Sequence, residues 1–165
     1  MFNVQFNVGA TQVAIRRAIA ELEDGTAMFT DIGEYMIDST RKRGQQGVSP
    51  DGVAWAPKRQ TTLDRYKARG YGNLTKPLVG PTRRLLREIQ RYVSRNGVVV
   101  GSSLIYSGVM QSGAGKGAFG ADRRGRPIPW GRIPARPWLG ISQTDGVAII
   151  DIADEHLEQS LGTGK

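Results

Sequence analysis

The chain has 165 residues, 39% of them hydrophobic, and a formal net charge of +8. That is long enough for one domain, residues 1–165, with a real core, and the 22 glycines, many between Gly44 and Gly140, point to long loops around it. No cysteine is present, which excludes disulfides and thiolate chemistry; no apolar run reaches the ~20 residues of a membrane span, and Met1–Phe6 lacks the features of a signal peptide, so a reducing cytoplasm is the expected site of synthesis.

Phe2 to Val8 alternates apolar and polar residues, the pattern of a half-buried strand. A helix is expected from Thr11, as N-cap, to Asp24, with Val13, Ala14, Ala18, Ile19 and Leu22 at helical spacing and Gly25 as its stop. A second runs from about Thr26 to Arg43 on a stripe of Met28, Phe29, Ile32, Met36 and Ile37. Arg41, Lys42 and Arg43 close it, where cations suit the helix dipole, and Gly44 follows as C′ residue; a nucleic-acid contact is the other reading of this triplet.

Gln45 to Arg59 reads as a loop built on a Ser49-Pro50-Asp51-Gly52 turn. Trp55 within it is either an anchor to the core or an interface residue. A short helix follows from Thr61 to Arg69, with Leu63, Tyr66 and Lys67 inward. Ile89–Ser94 and Val98–Gly101 flank Asn96-Gly97, a hairpin signal. Ser102-Ser103 are expected to cap a helix through Leu104, Ile105, Tyr106, Val109 and Met110.

Residues 113–132 form an extended basic loop, glycine-rich and without strand or helix signal, expected to be ordered only by a neighbour. Its Gly113-Ala114-Gly115-Lys116-Gly117 lacks the Gly-Lys-Ser/Thr ending of a phosphate loop. Next comes Ile133-Pro134-Ala135-Arg136-Pro137-Trp138-Leu139-Gly140-Ile141-Ser142. Its two prolines hold Ile133 and Arg136 extended and so present Trp138, Leu139 and Ile141 to an apolar surface. The last helix runs from Asp145 to about Leu161 on Val147, Ile150, Ala153, Leu157 and Leu161, widened by Ile149 and Ile152. So wide a stripe implies contact on two sides or deep burial.

Catalytic chemistry is not visible. One histidine, His156, and no cysteine remove the commonest nucleophile–base pairs, and His156 has no second histidine for a metal. Asp151, Asp154, Glu155 and Glu158 make one acidic ridge, read as solvated or partner-facing. No cofactor is expected.

Charge is segregated along the chain. Residues 1–40 hold two basic and six acidic side chains, residues 41–136 twenty and four, and residues 137–165 one and five. A basic middle between acidic helices suits nucleic acid, or head-to-tail contact with the acidic helices of a second copy.

The order of features is more specific than any of them alone. Gly52-Val53-Ala54-Trp55-Ala56-Pro57 is followed by Leu78, Gly80, Leu85, Leu86 and Ile89, by Val100-Gly101-Ser102 with Tyr106 and Gln111-Ser112-Gly113, and by Ile133 to Ser142. Over roughly residues 10–160 this resembles the bacteriophage virion morphogenesis family, the tail-completion and neck proteins of Mu-like and P2-like phages. The resemblance implies an α+β fold: N-terminal helices and a C-terminal helix packed on a small antiparallel β-sheet, with long Gly-rich loops. It implies no catalytic residues. It also implies a structural protein of the virion neck or tail, assembled in the bacterial cytoplasm and acting in a homo-oligomeric ring, a hexamer being one such ring. Other neck, connector and tail proteins, and DNA in the channel, are the expected neighbours. With DNA in transit, acidic helices rather than arginines are expected at the channel. Interface or anchoring candidates are Trp55, Arg123, Arg124, Arg126, Arg136, Pro137 and Trp138. The alternative is a basic nucleic-acid-binding protein using Arg123, Arg124, Arg126 and Arg132.

Overall fold

One long helix organises the structure. The computed structural model describes residues 9–161, in the order α1 (Gly9–Glu23), α2 (Thr26–Gln46), α3 (Gln60–Ala68), α4 (Arg84–Arg87), β1 (Gln90–Ser94), β2 (Gly97–Gly101), α5 (Ser107–Ser112) and α6 (Gln143–Leu161). The strand expected over Phe2–Val8 lies outside the described residues. The fold is α+β, with a two-stranded antiparallel sheet.

On α2, Ile32, Gly33, Met36, Ile37, Thr40, Arg43 and Gly44 are buried, one face of the helix at 3.6 residues per turn. The hairpin β1–β2 lies against this face, paired from Gln90↔Gly101 to Ser94↔Gly97 around Arg95-Asn96. Gly33 permits the approach: a Cβ there would stand 2.7 Å from Arg91 Cδ and 2.9 Å from Val98 Cγ2. α6 packs along α2 in the opposite direction, with Asp145 beside Ser39 and His156 beside Asp31; α1 packs on α6. Ile37, Trp55, Leu78, Leu85, Ile89 and Trp138 form the central cluster, extended by Leu86, Val100, Leu104, Met110 and Leu139.

Several element ends differ from expectation, each for a local reason. α1 begins at Gly9, so Thr11 lies inside its first turn and is not the cap. α2 continues to Gln46, and Gly47, at φ 83°, ends it with its N–H on the Arg43 carbonyl (2.8 Å). Gly44 is instead a packing glycine, because a Cβ there would collide with Leu86. Lys67 on α3 is exposed, while Leu63 and Tyr66 are half-buried. α5 starts at Ser107, not at Ser102-Ser103: the Ser102 hydroxyl accepts the Leu104 N–H (3.3 Å) in a local turn, and Ile105 is left 98% exposed.

The inner face of α6 also differs. Val147, Ile150 and Leu161 are exposed, and Ile149, Ile152, Ala153, His156 and Leu157 turn inward. Asp145 sets this rotation. It is 1% exposed and faces α2, so positions at helical spacing from it point the same way, and Val147 and Ile150 point outward.

Candidate functional site

The segment Ile133–Ser142 is held from both sides. The Arg136 N–H donates to the Met110 carbonyl (2.8 Å), and its guanidinium donates to the carbonyls of Ala56 (2.9 Å) and Pro57 (3.2 Å). Burial lowers the Arg136 pKa, yet a guanidinium stays charged at neutral pH. Trp55 Nε1 donates to the Pro137 carbonyl (2.9 Å), and Trp138 Nε1 to the Ser107 carbonyl (3.2 Å). Gln111 completes the clamp. Its Oε1 accepts from the N–H groups of Trp138 (2.8 Å) and Leu139 (3.0 Å), and its Nε2 donates to the Leu139 carbonyl (2.9 Å).

Two glycines close the junction. A Cβ on Gly113, at φ 74°, would meet Ala135 N and Ile133 O at 2.7 Å. One on Gly140, at φ 151°, would stand 2.8 Å from Pro50 Cγ, where the Ser49–Gly52 turn rests on the segment.

A buried ion pair then fastens α6. Arg43 Nη1 pairs with Asp145 Oδ2, and Arg43 Nη2 donates to the Gly140 carbonyl (3.0 Å). Asp145 Oδ1 also accepts from the Ser39 hydroxyl (2.5 Å) and from Tyr35 (3.3 Å). Asp145 and Ser142 form a reciprocal capping box: Asp145 Oδ2 accepts the Ser142 N–H (2.8 Å), and Ser142 Oγ accepts the Asp145 N–H (3.1 Å). Burial raises the carboxyl pKa, but the hydrogen bonds from Ser39, Ser142 and Arg43 outweigh it and hold the value at about 2. Arg43 stands in the last turn of α2, where a cation suits the helix dipole, but its charge is buried against Asp145 and does not reach nucleic acid.

Trp55, Arg136 and Trp138 are therefore interior residues, 6%, 7% and 1% exposed, and they set the geometry of the surfaces around them. Pro137 and Ile141 stand at the surface, so the segment presents Trp138 and Leu139 inward but not Ile141.

The candidates Arg123, Arg124 and Arg126 lie elsewhere, on the exposed tip of an arm. Residues 113–132 are not structureless. Ala114 pairs with Ile133, Phe119 N–H donates to the Ile128 carbonyl (2.7 Å), Ile128 N–H donates to the Gly120 carbonyl (2.7 Å), and Ala121 pairs with Pro127. Asp122 Oδ1 accepts the N–H groups of Arg124 and Arg126, both at 2.9 Å, which folds the tip. Single isolated bridges between glycines leave no apolar alternation, so the sequence carries no strand signal here. The arm also brings together what sequence reasoning missed: Trp130 is 63% exposed, Phe119 is 55% exposed, and the Arg126 guanidinium lies 5.0 Å over the Trp130 ring. The signal for this contact in the sequence is the short separation of Arg126 and Trp130 across Pro127 and Pro129.

α6 presents the second open surface. Asp151, Asp154, Glu155 and Glu158 are exposed beside Val147, Ile150 and Leu161. His156 Nε2 lies 2.8 Å from Asp31 Oδ2, between α6 and α2. Among the described residues no group of three or more histidine or acidic side chains converges as a metal site, and no helix is long and apolar enough to cross a membrane.

The scaffold is clamped from within and leaves charged and apolar surfaces open. The chain matches the phage virion morphogenesis family over residues 7–158 and belongs to that family. Its role is accordingly structural, in the assembly of a phage virion. Comparison with curated proteins and with solved structures finds no match.

Proposed function

We propose that the protein completes the tail or neck of the virion and joins head to tail as a homo-oligomeric ring, without catalysis. Its neighbours are further copies of itself and other neck, connector and tail proteins. The observation that carries this reading is the separation of charge on one subunit: an exposed cationic arm tip on one element and an exposed acidic helix face on another. Heterologous contacts between unlike faces close into a ring when the rotation between subunits closes. The test is the mass of the purified protein by light scattering at low and high salt, paired with a phage lacking the gene. Salt-sensitive association and tail-less or headless particles are expected. Infectious particles from the deletion, with no association of the protein alone or with tail and connector partners, would overturn the reading.

The second reading is a nucleic-acid contact through Arg123, Arg124, Arg126 and Arg132. The exposed Trp130 beside Arg126 favours it, since bases stack on aromatic rings. A DNA shift that weakens steeply with salt would support it.

A further inference from the structure

We propose that the arm of one subunit docks on the outward face of α6 of the next. The proposal rests on the ring reading above and names its contact surfaces.

The outward positions of α6 are Val147, Ile150, Asp151, Asp154, Glu158 and Leu161, which share one side of the helix opposite Asp145. Val147 is 57% exposed, Ile150 61% and Leu161 42%, because α1 and α2 cover other sides. Three apolar side chains among three acidic ones do not make a solvated ridge. The apolar three, with Asp151 and Asp154, ask for a partner that is itself apolar and cationic.

The arm has that composition. Phe119, Ile128 and Trp130 are exposed along its length, and Arg123 and Arg124 at its tip. Arg126 is committed to Asp122 (3.0 Å) and to Trp130, which leaves Arg123 and Arg124 to meet acids elsewhere. Among the described residues Arg123, Arg124, Asp151 and Asp154 form no ion pair. Nucleic acid would account for the arginines and for Trp130. It leaves the acidic, apolar α6 face and Phe119 unexplained. A second copy accounts for both surfaces with one contact, and that contact is heterologous, as ring closure requires. The acidic face of α6 is thereby given to a neighbouring subunit and not to a DNA channel.

The test uses two charge-reversed full-length variants, R123E/R124E and D151K/D154K, with far-UV circular dichroism as the folding control. Association is followed by sedimentation. Each variant alone should associate about tenfold or more weakly than wild type. An equimolar mixture should recover association, because each reversed surface then finds its complement on the other variant. Because the chain has no cysteine, R124C/D154C offers a second readout: oxidation should give a ladder of disulfide-linked subunits. If wild type associates and both variants do so equally well, arm docking is wrong while ring assembly stands. Loss in both variants without recovery on mixing, and with no ladder, also refutes the pairing. A wild type that stays monomeric at all concentrations, with no ladder, overturns docking and self-assembly together. Loss of DNA binding in R123E/R124E with association unchanged would make the arm a nucleic-acid contact and refute the proposal.

Discussion

Replacing Asp145 by alanine should destabilise the protein by about 3–5 kcal/mol. The carboxylate is 1% exposed and is the ionic partner of Arg43, which is itself 7% exposed. Removing it strands a guanidinium whose Nε already lacks a partner, and breaking a buried pair from one side costs about that much. The change also removes half of the Ser142–Asp145 capping box, worth ~1 kcal/mol within the same total. For a domain of this size the midpoint should fall by about 10 °C. Urea and thermal unfolding followed by circular dichroism at pH 7 measure it. The double variant R43M/D145L should cost much less than the sum of the single changes, because it removes the stranded charge as well. A loss under ~1 kcal/mol for Asp145→Ala, or additive single changes, would refute the claim that this pair fastens α6.

The same carboxyl gives a pH dependence. Its folded pKa of about 2 lies below the ordinary 3.8, so its stabilisation is full above that ordinary value and is lost as pH falls from 3.8 towards 2. The loss should reach about 2 kcal/mol and be absent in Asp145→Asn, as read from acid unfolding. Trp138→Ala should cost about 3–5 kcal/mol by removing the most buried side chain of the core. Trp55→Phe should cost roughly 1 kcal/mol through the hydrogen bond to Pro137, measured in the same urea titration. Gly140→Ala should cost about 1–3 kcal/mol, since its Cβ would press on Pro50; an unchanged midpoint would show that the Ser49–Gly52 turn yields freely.

Periodicity located the main helices and the hairpin, because these are local patterns: a 3.6-residue stripe in α2, and Asn-Gly between β-rich runs in β1–β2. Pro-Arg-Pro-Trp was visible as a rigid segment from proline chemistry alone. Its partners were not visible, since Gln111, Ala56 and Arg43 come from three separate stretches of chain. The charge on Arg43 suggested a helix-end cation, because nothing local reveals that Asp145, 102 residues away, lies beside it.

What the sequence determined by itself is the α+β class, the charge segregation and the family, all carried by composition, spacing and motif order. Only the tertiary structure decided which side of α6 faces outward and that the glycine-rich stretch is an arm with Trp130 at Arg126. A helix with apolar residues on more than one side has no preferred rotation until one contact selects it. Here the buried Arg43–Asp145 pair makes that selection, and it leaves Val147 and Ile150 at the surface.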